Sequence, residues 1–93
     1  MKSQPDDGEA WFNLGLAQLF ADDLSAGEQS FLKSSNLLSG SWESHQRLGF
    51  IYEKTNRYRQ ALQHYQSALK INQSAELKES VERVQERIRR QGS

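Results

Sequence analysis

The sequence predicts an all-α fold: a thin, elongated solenoid of five helices arranged as helix–turn–helix units. Three observations point there. The chain resembles itself at an offset of 34 residues, apolar residues recur with helical spacing in five segments, and the composition is poor in core-forming residues. Only 35% of the 93 residues are hydrophobic, below the share of a typical globular chain. A thin fold with a large surface suits that figure better than a sphere. One Pro and six Gly argue against a loop-rich or disordered chain.

The repeat is one of size class more than of identity. Leu14-Gly15 returns as Leu48-Gly49, Phe31 as Tyr65, Gly27 as Ala61, Ser34 as Ala68, Leu37 as Ile71, Asp22 as Asn56 and Leu24 as Tyr58. Small residues return to small positions and rings to ring positions. Close helix crossings impose that pattern, because one helix must be bare where a neighbour's ring lies.

Each unit reads as two helices. In the first helix, Trp11, Leu14, Gly15 and Gln18 share a face by i, i+3, i+4, i+7 spacing. Asp22-Asp23 breaks the period. A second run carries Leu24, Gly27, Phe31, Ser34 and Leu37, with Ser25 and Glu28 spaced as a capping box at its start. Ser39-Gly40-Ser41 closes it, Gly40 as a left-handed C-cap and Ser41 as the next N-cap. The second unit runs through His45, Leu48, Gly49 and Tyr52, turns at Asn56, and returns through Tyr58, Ala61, Tyr65, Ala68 and Leu69. A fifth helix after the N-cap Ser74 sets Leu77, Val81, Val84 and Ile88 on one stripe, with Arg87, Arg89 and Arg90 at its C-terminal end.

These residues resemble the tetratricopeptide repeat. Trp11-Phe12-Asn13-Leu14-Gly15 is similar to the first half of its signature, and the run from Tyr58 to Leu69 to the second. The resemblance covers residues 8–75. It implies a right-handed α-solenoid with repeat 1 at 8–41, repeat 2 at 42–75 and a capping helix at 76–91. Residues 1–7 then read either as the end of a preceding repeat, with Pro5 at the closing-proline position, or as the Pro-containing N-terminal turn of a stand-alone protein. The departures are Gln18 for Tyr, Ser34-Ser35 for Ala-Leu, His45 for Trp, and Ser39 and Gln73 for the closing prolines. They predict looser packing inside the first repeat.

Several function classes fall away. There is no Cys, hence no disulfide or thiolate metal site. No apolar run approaches the ~18 residues of a membrane span, so no membrane contact is expected. The first residues lack the apolar stretch of a secretion signal, which favours a cytoplasmic setting. Twelve bases balance twelve acids, so the overall charge lacks a nucleic-acid footprint, and Arg57-Tyr58-Arg59 with Arg87 to Arg90 is a thin basis for one. His45 and His64 stand alone on separate helices, without H-x-x-x-H spacing. No catalytic residue, metal ligand or cofactor site is expected. The charge is nonetheless uneven: residues 1–41 carry six acids and two bases, residues 42–93 six acids and ten bases.

What remains is recognition by surface. Trp11, Phe12, Leu14, Leu16, Ala17, Leu19 and Phe20 leave the first helix apolar nearly all round, and such a helix must be covered on more than one side. The resemblance implies that the first helix of each repeat lines a concave groove. The expected function is a non-enzymatic scaffold that grips an apolar or helical segment of a protein or peptide partner. Its binding residues are Phe12, Leu16, Leu19, Phe20, Gln46, Arg47, Phe50 and Glu53. The alternative is homo-oligomerisation, a homodimer in which repeats of two copies stack.

Overall fold

The computed structural model describes residues 7–38 and 41–92, and these described residues form five helices: α1 (Gly8–Phe20), α2 (Leu24–Leu37), α3 (Trp42–Lys54), α4 (Tyr58–Ile71) and α5 (Ala75–Gly92). Each packs on its sequence neighbour, α1 on α2, α2 on α3, α3 on α4 and α4 on α5. Successive stacking gives a body of 52 × 26 × 17 Å, the expected all-α solenoid of helix–turn–helix units.

Local chemistry sets the helix starts. Asp7, Asp23, Ser41 and Ser74 lie just ahead of α1, α2, α3 and α5, and their side-chain oxygens accept from the backbone N–H groups of Ala10, Ala26, Ser44 and Leu77. The expected Ser25–Glu28 capping box does not form. Asp22 takes a left-handed conformation (φ 64°), and this turns the chain so that Asp23 sits at the cap two residues earlier. Glu28 is drawn instead to Arg57. Asn56, 34 residues after Asp22, has the same φ of 64°. The expected Gly40 C-cap and the Pro5 position lie outside the described residues.

Both repeats are built on one contact, a glycine beneath a ring. A Cβ placed on Gly15 would lie 2.8 Å from the Phe31 ring, and one on Gly49 would lie 2.9 Å from the Tyr65 ring. The core continues from Phe31 through Leu48, Ile51, Tyr52, Ala61 and Ala68 to Leu77, Val81 and Val84 of α5. The looser packing expected of the first repeat is not found. Ser30 Oγ donates to Gln18 Oε1 at 2.6 Å across α1 and α2. Ser34, fully buried, donates to the Gly8 carbonyl at 2.9 Å and meets the Ser44 hydroxyl at 2.9 Å. Gln18 and Ser34 therefore fasten the helices they were expected to loosen, because each finds a partner across the α1–α2 contact.

Leu14 departs from its expected inner face. It is 44% exposed, whereas Leu48 is fully buried. Helix α2 packs on α3; among the described residues, no helix precedes α1 to cover it in the same way.

Candidate functional site

The helical period places Glu9, Asn13, Leu16 and Phe20 on one line of α1, and Glu43, Arg47, Phe50 and Lys54 on the matching line of α3. Two clefts lie along this shared face. One of about 340 Å³ sits towards the helix starts and is lined by Glu9, Phe12, Asn13, Leu38, Ser41 and Glu43. The other, of about 330 Å³, sits at the helix ends. There Leu19 and Phe20 of α1 face Arg47, Phe50 and Lys54 of α3, with Asp22 and Leu24 from the turn.

Of the eight residues expected to bind a partner, four meet in this second cleft: Leu19, Phe20, Arg47 and Phe50. Phe20 is 79% exposed and Phe50 40%. Lys54 Nζ lies 5.4 Å from the centre of the Phe50 ring. Arg47 Nε is buried without a hydrogen-bond partner, the one such side-chain atom among the described residues. Phe12 lines the first cleft but sits edge-on against Phe31, ring centres 5.4 Å apart, so it also carries structural load. Leu16 is half-buried against the core, and Gln46 is half-buried on α3. Neither lines these two clefts.

Glu53 is engaged within the chain. Arg83 of α5 donates to both its oxygens, at 2.6 and 2.9 Å, and the Tyr65 hydroxyl donates to it at 3.0 Å. The Arg83 hydrogen bond holds the Glu53 carboxyl below its ordinary range, while burial raises the Tyr65 hydroxyl. A second ion pair joins the repeats: Arg57 donates to both Glu28 oxygens, at 2.7 and 3.2 Å, lies 4.5 Å over the Tyr52 ring, and lowers the Glu28 pKa. Of the other bases considered for nucleic acid, Arg87 is engaged with the Tyr58 hydroxyl and Arg89 and Arg90 with Glu86, while Arg59 is exposed.

The histidines, read from the sequence as standing apart, meet. His45 Nδ1 and His64 Nδ1 are 3.1 Å apart and the ring centres 5.3 Å, so the two nitrogens face each other along the line of centres. This is an N–H···N hydrogen bond between neutral rings, one donating and one accepting. His64 also stacks on Tyr52 at 5.3 Å. Burial, and then the neighbouring His45, push the His64 pKa down to about 4, although Glu28 opposes the shift; burial lowers that of His45. A pKa lowered by folding means that the unfolded chain takes up the proton first. The pair's contribution is therefore intact above pH 6.5 and is lost as the pH falls through about 4. The lowered Glu28 and Glu53 groups lose their contribution only below 4.5. We expect stability to fall in two stages on acidification. The first, about 1–2 kcal/mol after allowing for solvent screening of half-exposed rings, should shrink in His64→Phe to the part that His45 supplies, while the second persists. Denaturant midpoints measured from pH 7 to 3.5 check this, and an unchanged first stage in the variant would refute it.

The second helix pair carries the family's mark. The tetratricopeptide repeat model matches residues 42–74, the span of α3, α4 and the chain leading to α5. This second helix pair is therefore similar to one complete tetratricopeptide repeat. The fold reaches beyond the matched repeat. A solved structure described as "Crystal structure of MamA" is similar to this chain with a TM-score of 0.84 at 19% identity, over 88% of this chain and 48% of that one. The chain thus spans about half the length of that neighbour, and the likeness is one of fold. No curated protein matches the sequence. Tetratricopeptide repeats generally mediate protein–protein interaction, and the fold is typically a non-enzymatic scaffold. No helix here is long and apolar enough to cross a membrane among the described residues, nor do three or more His, Asp or Glu side chains gather there as a metal site.

Proposed function

We propose that this chain is a protein-interaction scaffold that docks an apolar, helical segment of a partner on the shared face of α1 and α3. One observation carries the reading: Phe20 and Phe50 are both exposed, and both line one cleft. Two exposed rings in one concave site are the kind of anchor point on which interface energy concentrates. Leu19, half-buried, lines the same cleft and extends its apolar surface.

Phe20→Glu separates docking from folding. The ring makes little intramolecular contact, so the variant should melt within a degree or two of the parent. A carboxylate in an apolar interface carries a desolvation cost, and binding of peptides selected from a random displayed library should weaken by about tenfold or more. A folded variant that binds those peptides normally would sink the reading.

Self-association is a second reading, supported by the open face of α1. Leu14 is 44% exposed, and Ala10 and Ala17 are exposed one turn to either side of it. At the equivalent places in α3, Ser44, Leu48 and Ile51 are fully buried. A second copy laid on this face would supply the missing cover. Sedimentation through the micromolar range tests it: a dimer abolished by Leu14→Glu supports it, and a monomer throughout rejects it.

A further inference from the structure

The docking face is electrically polarised along its length, and this sets the direction of what it binds. Glu9 and Glu43 stand exposed in the first turns of α1 and α3 and line the first cleft. Arg47 and Lys54 line the second, opposed there by Asp22 alone. The other acids near the face do not alter this polarity, since Glu53 is bonded to Arg83 and Glu28 to Arg57. One end therefore carries two carboxylates and the other a net positive charge. The buried, unpartnered Nε of Arg47 adds an unsatisfied donor at the positive end, and leaving such a group without an acceptor is costly. The apolar residues Leu16, Leu19, Phe20 and Phe50 lie on the same face. From Glu9 to Phe20 the face is about 16 Å long, or three helical turns.

We propose that this groove takes an amphipathic helix of about three turns running antiparallel to α1 and α3, with acidic residues in its first turn, an apolar stripe in the middle and basic residues in its last turn. A partner helix is most stable with acids at its own N-terminus and bases at its C-terminus. Placing those acids by Arg47 and Lys54 and those bases by Glu9 and Glu43 fixes the antiparallel direction. It also sets the partner's dipole against those of α1 and α3. The reverse direction would bring like charges together at both ends, which disfavours wrong pairings. This inference rests on the docking reading and adds its direction and charge order.

The probe is a displayed library of random 16-residue peptides selected on the full chain. Enriched peptides are expected to carry Asp or Glu before, and Lys or Arg after, an i, i+3/i+4, i+7 apolar stripe. The strongest one, labelled at its N-terminus with a nitroxide, should broaden the amide signals of Phe20 and Lys54 more than those of Glu9 and Glu43. Lys54→Glu, at an exposed position, should weaken it about fivefold at low salt, and the gap should close near 0.5 M salt, where the Debye length is only a few ångströms. Enriched apolar peptides without charge order, broadening strongest at Glu9 and Glu43, or indifference to Lys54→Glu would each overturn the inference and leave docking itself standing. No enrichment at all would end both.

Discussion

Gly49→Leu is expected to unfold the second repeat. The first atom of any side chain at this position would lie 2.9 Å from two Tyr65 ring carbons and 3.0 Å from a third. The ring cannot simply swing aside. It is 2% exposed, and its hydroxyl is held by Glu53, itself clamped by Arg83. Accommodation therefore means separating α3 from α4 and breaking that network as well. Overpacking a close helix crossing costs roughly 1–3 kcal/mol and occasionally more; with the network lost, we expect about 3 kcal/mol or more, a large share of the 5–15 kcal/mol typical of a domain. Thermal unfolding followed by circular dichroism reads this directly. A melting temperature equal to the parent's would mean that α3 and α4 do not cross at Gly49.

That glycine was legible in the sequence because packing constraints repeat. Gly15 with Phe31 and Gly49 with Tyr65 stand at the same 34-residue offset, and each aromatic ring lies over its glycine. Helical periodicity likewise placed all five helices and the stripe of Leu77, Val81 and Val84. What depends on neighbours was harder to read. Leu14 and Leu48 are the same residue at equivalent positions, yet one is exposed and the other buried, because burial here is a property of stacking. The cap of α2 fell to Asp23 because the left-handed turn at Asp22 outweighed a good local motif at Ser25.

The site was legible to a similar depth. The family's groove positions pointed to Arg47 and Phe50 and the apolar first helix to Phe20, and the 34-residue register linking Phe20 to Lys54 would also have pointed to Lys54. Glu53 was read as a rim residue because nothing local reveals that Arg83, thirty residues later, reaches it. The His45–His64 contact depends on how α3 and α4 are rotated about their axes, and a rotation of a fraction of a turn would part the rings. Pairings across helices are set by three-dimensional register, to which helical periodicity is nearly blind.

Phe31→Ala should detach α1 and disable the docking face from beneath. Phe31 is fully buried. It fills the space over Gly15 and supports the edge of the Phe12 ring at 5.4 Å between centres. Truncation leaves a cavity that the glycine opposite cannot fill, and buried Phe→Ala changes cost about 3–5 kcal/mol. In a stacked array, stability divides between units and their nearest-neighbour interfaces. Helix α1 packs chiefly on α2, so the loss should fall there first. Hydrogen exchange is expected to show amides of α1 and α2 losing protection while those of α4 and α5 keep most of theirs. Phe12, Leu16 and Leu19 would lose their platform, and peptide binding should weaken although Phe31 has no exposed surface. Equal loss of protection in all five helices would show that the chain unfolds as one cooperative block and that α1 has no separate dependence on this ring. Unchanged peptide affinity in a variant with α1 released would move the docking site off α1 altogether, on to α3 and the helices behind it.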